Sequence, residues 1–128
     1  MHGSKDELRV DVQMDGVTIR QAQWGDMNAA IEDFAAGVDT RPVFKGLPDD
    51  RCQCPHWGYV VRGQARVLYA DREEVLGTGQ AYFLPPGHNV VYDEDTQVVE
   101  FSPAGEYART LEVAGRNVAA MAAADARP

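Results

Sequence analysis

The central half of the chain, residues 42–102, alternates short apolar segments with turn residues, and this spacing constrains the fold most. The segments that have the length of strands are residues 52–62, 65–70, 73–76, 81–84, 88–92 and 98–102. The residues between them are rich in Gly, Pro and Asp, which favour turns. Many short strands at even spacing are typical of a sandwich or a barrel. The sequence therefore predicts an all-β domain whose barrel core spans about residues 42–102.

The N-terminal region begins with a hairpin pattern. Residues 8–14 alternate between apolar and polar side chains, as a half-buried strand requires. Asp15-Gly16 is a strong hairpin signal, and residues 17–23 follow it as the returning strand. We expect residues 1–7, which are polar, to be disordered.

Helical spacing appears at two places. The first apolar series consists of Trp24, Met27, Ile31 and Phe34. With Asp26 as a candidate N-cap and Gly37 as a candidate stop, this series predicts a short N-terminal helix. A second apolar stripe predicts a C-terminal helix over residues 106–122, followed by a disordered end at 123–128.

Length and charge limit the partners of this chain. Its 128 residues suit a single domain, and its net charge of -8 repels nucleic acid backbones and anionic lipid headgroups. No apolar run is long enough to span a bilayer, and the N-terminus lacks an apolar signal segment. We therefore expect a cytoplasmic protein that binds neither nucleic acid nor membrane. Cys52 and Cys54 lie too close in sequence for an unstrained disulfide, and we expect free thiols.

Gly46 is followed after five residues by Cys52 and Cys54, and the segment closes with the run YVVRG at Gly63. This pattern resembles the first signature motif of the cupin superfamily, in which two histidines and a glutamate stand between two glycines. The cysteines occupy the histidine positions, and His56, counted back from Gly63, occupies the glutamate position. The segment between the second histidine position and the glutamate position is two residues shorter than in the family.

The second cupin motif is matched in its glycines and proline. Gly79, Pro85 and Gly87 have the family's spacing, whereas Val90 and Glu94 stand where the family has His and Asn. The resemblance implies one cupin domain over residues 1–128, a double-stranded β-helix (jelly-roll barrel) flanked by the two predicted helices. The run CQCPHWGYV is similar to a variant in small bacterial cupins of unassigned function.

Side-chain parity places the altered positions on one inner face. Cys52, Cys54 and His56 alternate along a predicted strand, and His88 is two residues from the ligand position Val90. Two sulfurs and two imidazoles favour a divalent transition metal, zinc above all, although imidazole also suits iron, nickel and copper. Four ligands would close the site, and three would leave a position for water or substrate.

Further residues are expected to line the pocket rather than bind metal. Val90 and Tyr92 share the parity of His88, so we expect both in the pocket wall. The glutamate position of the family carries no carboxylate here, which argues against a site of two histidines and one carboxylate for oxygen chemistry.

Three functions remain open at this point. The first is a metal-dependent enzyme that isomerises, hydrolyses or oxygenates a small organic molecule. The second is a non-catalytic module that binds or senses a small molecule without metal. The third, a redox sensor using Cys52 and Cys54, is disfavoured because inward thiols meet oxidants poorly.

The opposite parity of the same strand carries Gln53, Trp57, Tyr59 and Val61. A row with Trp and Tyr is expected to be covered, either by the predicted N-terminal helix or by a second subunit. Fold analogy and this row together predict a homodimer.

Overall fold

A computed structural model describes residues 1–126 of the chain. In this structure, turn residues separate nine strands and a long C-terminal helix. The strands are β1 (Arg9–Met14), β2 (Val17–Trp24), β3 (Met27–Phe34), β4 (His56–Arg62), β5 (Gln64–Leu68), β6 (Glu73–Gly77), β7 (Ala81–Leu84), β8 (Asn89–Tyr92) and β9 (Thr96–Pro103). The helix α1 follows at Ala104–Asp125, and a single 3-10 turn lies at Pro48–Asp50. The predicted all-β domain with a C-terminal helix is confirmed.

Two antiparallel sheets form the body of the domain. One has six strands in the order β1-β2-β3-β9-β4-β7, and the other has three in the order β6-β5-β8. Their inner faces share one core, consisting of Val60, Ala65, Val67, Leu76, Leu84, Val90, Tyr92 and Val98. Because each strand alternates its side chains, the same strands also present an outer face.

The predicted N-terminal helix is wrong, because residues 27–34 form strand β3, paired with β2 and β9. Gly25, at φ 64°, occupies the turn of a hairpin in which Trp24 pairs with Met27. The inward row of β3 contains the polar residues Asn28 and Glu32. The sequence of β3 therefore lacks the alternation of apolar and polar residues by which a strand is recognised. Apolar residues from both faces, Met27 and Ile31 on one and Phe34 on the other, then matched helical spacing by coincidence. Pairing on both edges of β3 outweighed that weak preference.

Helix α1 begins directly after β9 and covers one end of the inner space. Its buried residues are Tyr107, Thr110 and Ala114. Asn117 donates hydrogen bonds of 2.7 Å to the carbonyls of Val43 and Lys45, which ties the helix to the segment before β4. Residues 127–128 of the predicted disordered end lie outside the described part of the chain.

Within residues 1–126, no helix combines the length and the apolar character needed to cross a bilayer.

Candidate functional site

An inner cavity of about 200 Å³ lies between the two sheets and helix α1. Apolar side chains from β1, β2, β8 and α1 form most of its wall. Polar side chains gather at one end, and they are Glu32, Cys52, His56, His88, Glu100 and Tyr107. The cavity therefore has an apolar body and a polar end.

A short bridge between Cys52 and His88 positions two of these polar residues. The Cys52 amide donates to the His88 carbonyl at 2.8 Å, and the Gly87 amide donates to the Cys52 carbonyl at 2.8 Å. Gly87, at φ 98°, makes the turn that a side chain would strain. The spaced Pro and Gly residues of the second motif thus bring His88 beside Cys52.

Three donor atoms converge at the polar end. One atom each of Cys52, His56 and His88 lies within 4.8 Å of the other two, and all three residues are buried. The Cys52 Sγ is 3.6 Å from the His56 Nε2, and the two imidazole rings meet edge-on with centroids 5.1 Å apart. Three converging soft or borderline donors are a set that a transition metal accepts.

Each imidazole has a partner at its Nδ1. The His88 Nδ1 is 2.8 Å from the Pro85 carbonyl, which only accepts, so this nitrogen carries the proton and leaves the Nε2 lone pair free. The His56 Nδ1 is 2.6 Å from the Ser102 Oγ and 3.6 Å from the Glu100 Oε2. Such partners hold a ring with its Nε2 facing a metal.

The protonation of the donors also suits metal ligation. Burial, with the neighbouring His56, lowers the pKa of His88 to about 4, so its ring is neutral at physiological pH. Burial raises the pKa of the Cys52 thiol to about 12, so a metal would have to displace its proton. The donor set fits a transition metal that binds with release of a proton.

Cys54 lies outside this group of donor atoms. Strand β4 begins only at His56, so the parity argument does not extend back through Pro55 to Cys54. Its Sγ donates to the Pro55 carbonyl at 3.5 Å, and the residue packs beside Tyr107. Burial raises the pKa of the Cys54 thiol to about 12, which disfavours the thiolate that redox sensing needs.

Val90 and Tyr92 line the cavity together with His88. All three follow the alternation of β8, although His88 itself precedes the strand by one residue. The Tyr92 ring stacks on Phe34 of β3, with centroids 4.1 Å apart and planes at 7°. This stack joins the two sheets at the apolar part of the wall.

Sequence reasoning missed a buried pair of carboxyl groups. Glu32 on β3 and Glu100 on β9 hydrogen-bond to each other inside the cavity. The Tyr82 hydroxyl donates to the Glu100 Oε1 at 2.7 Å, and the Tyr107 hydroxyl donates to the Glu32 Oε2 at 3.2 Å. The parity of Glu100 with Val98 and Ser102 was a usable signal, whereas Glu32 was hidden in the wrongly predicted helix.

The two carboxyl groups differ in their affinity for a proton. Burial raises the pKa of Glu32 well above its usual value, and the charge of Glu100 raises it further. Burial also disfavours the charge on Glu100, but His56, Glu32 and Tyr82 outweigh it and lower the pKa of that carboxyl. Glu100 thus has the lower pKa of the two, and it lies on the Nδ1 side of His56, not among the three converging donor atoms.

Comparison with known proteins identifies the fold. A family model described as the AraC-like ligand binding domain matches residues 55–112. An RmlC-like cupin from Shewanella frigidimarina NCIMB 400 superposes with a TM-score of 0.59 at 17% identity, over 79% of this chain and 88% of that one. The chain therefore has the cupin fold.

Other solved structures resemble this chain to a similar degree. KdgF from Halomonas sp. has a TM-score of 0.57 and 25% identity, covering 78% of this chain and 92% of that chain. The polyketide cyclase RemF from Streptomyces resistomycificus has a TM-score of 0.61 and 16% identity, covering 80% of this chain and 78% of that chain. No curated protein matches this chain.

Proposed function

We propose that this cupin binds one divalent transition metal ion, with zinc as the preferred ion, and acts on a small organic molecule held in the cavity. The ligands are the Cys52 Sγ and the Nε2 atoms of His56 and His88. The convergence of these three atoms within 4.8 Å carries the proposal. Three protein ligands leave a fourth position open, as catalytic zinc sites do.

The residues around the donors support this assignment. The Pro85 carbonyl hydrogen-bonds to the His88 Nδ1, and the Ser102 hydroxyl hydrogen-bonds to the His56 Nδ1. Both Nε2 atoms therefore remain for the metal. When bound, such an ion polarises a substrate oxygen or lowers the pKa of a bound water. The apolar wall lowers the local dielectric, which strengthens polar contacts at this end of the cavity.

An alternative is a module that binds or senses a small molecule without metal or catalysis. The match to an AraC-like ligand binding domain and the mostly apolar cavity favour it. In this alternative the three donors act only as hydrogen-bonding groups for the ligand.

Elemental analysis of protein purified without a histidine tag separates the two functions. We expect about one zinc per chain, lost in Cys52→Ser, His56→Ala and His88→Ala but retained in the matched control Cys54→Ser. Cobalt substitution should show absorption from thiolate charge transfer that disappears in Cys52→Ser. Metal content that none of the three ligand substitutions changes would exclude the metal site and leave the binding module.

Several predictions about assembly and location belong with this function. We propose a homodimer, because the outward residues Trp57, Tyr59 and Phe101 remain 46%, 47% and 41% exposed in the single chain. Apolar patches of this kind mark interaction sites. The two free thiols favour a reducing, cytoplasmic location. For the barrel itself, we propose the jelly-roll connectivity that the motif spacing implies.

A further inference from the structure

The cavity takes its chemical character from the residue types of its wall. No Lys or Arg of residues 1–126 lines it. The acidic side chains Glu32, Glu100 and Cys52 gather instead at its polar end, so an anionic ligand would face them there. Phosphate, sulfate and carboxylate groups would therefore enter without a partner, which is costly in a buried site.

A cationic ligand also lacks a partner, because the carboxyl pair is already engaged. Tyr82 and Tyr107 donate to one oxygen each of Glu100 and Glu32, and the two carboxyl groups bond to each other. The remaining Glu100 oxygen lies 3.6 Å from the His56 Nδ1. An ammonium group would have to break this network, so the charge of the pair is not available to it.

The size of the cavity sets the scale of the ligand. A dry apolar cavity of about 150 Å³ is sufficient for benzene. The volume of about 200 Å³ leaves room for one ring and a short substituent. The aromatic wall residues Phe34 and Tyr92, together with Leu111 and Ala114 of helix α1, suit a flat apolar body better than a polyhydroxylated one.

We propose that the ligand is an uncharged, mostly apolar molecule of one ring, with a single hydroxyl or carbonyl oxygen directed at Cys52, His56 and His88. This inference rests on the proposed function for the location of the site, and it adds the class of molecule that the site accepts. Sugars, phosphorylated compounds, carboxylic acids and amines are excluded as preferred ligands.

A series of probes with one ring and one varying group tests the proposal. Benzyl alcohol, benzoate and benzylamine differ mainly in charge, and glucose replaces the apolar body by a polar one. Binding of each to zinc-loaded and metal-free protein is measured by NMR titration. We expect benzyl alcohol to bind at least about tenfold more tightly than benzoate or benzylamine, and glucose not to bind. Equal or tighter binding of either ion, binding of glucose, or no binding of benzyl alcohol would overturn the proposal.

Two substitutions on α1 locate the binding. Ala114→Leu should fill the cavity and abolish binding of benzyl alcohol, while the matched control Ala119→Leu, at an exposed position of the same helix, should leave it unchanged. Leu111→Ala enlarges the cavity and should shift preference toward 4-propylbenzyl alcohol, which gives a second readout if Ala114→Leu does not fold. Unchanged binding in a folded Ala114→Leu variant, or unchanged preference in Leu111→Ala, contradicts the proposed site.

Zinc content measured on the same samples separates this inference from the proposed function. Protein that takes up no zinc when zinc is supplied, but still prefers benzyl alcohol, would refute the metal site and retain the ligand class. Zinc-loaded protein without that preference would refute the ligand class alone.

Discussion

Two adjacent rows of side chains across β7, β4 and β9 have opposite surroundings. The inward row consists of Leu84, His56 and Ser102, which are 3%, 7% and 1% exposed. The outward row consists of Phe83, Trp57 and Phe101, which are 47%, 46% and 41% exposed. One strand thus supplies a buried polar group with partners and an exposed aromatic group without cover. The inward row supports the proposed site within the chain, and the outward row supports the proposed interface between chains.

Disturbing the inward side at Gly58 should have the largest effect on stability. A Cβ at this position of β4 would clash with the Tyr82 ring, which donates to Glu100. We expect Gly58→Ala to lower the free energy of unfolding by about 3 kcal/mol, through overpacking and a weakened buried hydrogen bond. Urea denaturation measures this change in the free energy of unfolding. The control is Gly77→Ala in β6, where a Cβ meets only Gln80 at 3.6 Å. A loss no larger than that of the control would show that Tyr82 adjusts freely.

Removing the inward hydroxyl at Ser102 should weaken metal binding without unfolding the chain. Its Oγ lies 2.6 Å from the His56 Nδ1 and orients that ring. We expect Ser102→Ala to lower zinc affinity by about 10- to 100-fold, the usual cost of losing such a partner. Competition with a chelating dye measures the affinity. Phe101→Ala, the neighbouring outward residue, should leave it unchanged, and equal losses in both variants would erase the distinction between the rows.

Zinc affinity should rise about tenfold for each pH unit between about pH 7 and 8. The Cys52 thiol, whose pKa burial raises to about 12, must lose its proton on binding. The His88 pKa of about 4 adds no slope in this window, because that ring is already neutral. Titrations at several pH values provide the test, with Cys54→Ser as a variant that should keep the slope. An affinity independent of pH would exclude Cys52 as a ligand.

Changes in the outward row should affect assembly more than folding. We expect Trp57→Ser to change the free energy of unfolding of the single chain by at most about 1 kcal/mol, since the side chain is half-exposed. The same change should convert dimer to monomer in size-exclusion chromatography with light scattering. Val75→Ser, at a position 52% exposed on the other sheet, is the matched control. A wild-type monomer, or a dimer indifferent to Trp57, would contradict the proposed interface.

The sequence predicted those parts of the molecule in which a local pattern determines the geometry. The Asp15-Gly16 hairpin and most strands after residue 55 are confirmed, because turn residues and alternation act within a few residues. The same alternation relates His88, Val90 and Tyr92, which all line the cavity. It did not apply to Cys54, which precedes the strand.

The parts that escaped prediction depend on pairing between distant segments. Strand β3 forms because β2 and β9 pair with its two edges, and no local pattern contains β9. Glu32 and Glu100 come together through that pairing. Ala30 lies opposite Glu100 in the register, and Glu32 is the next residue of β3 on the same face. The resemblance to cupin motifs gave the position of His56 but not its partners.

Residues of helix α1 shape the apolar part of the cavity, whereas the proposed metal ligands lie on other segments of the chain. The three donor atoms belong to β4 and to the bridged segments before β4 and β8, whereas Leu111 and Ala114 belong to a helix joined to the sheet only after Pro103. Substitutions along that helix can reshape the chamber and leave the donor atoms in place. A chain built this way can acquire new ligands over evolutionary time, or in the laboratory, by exchanging one terminal segment.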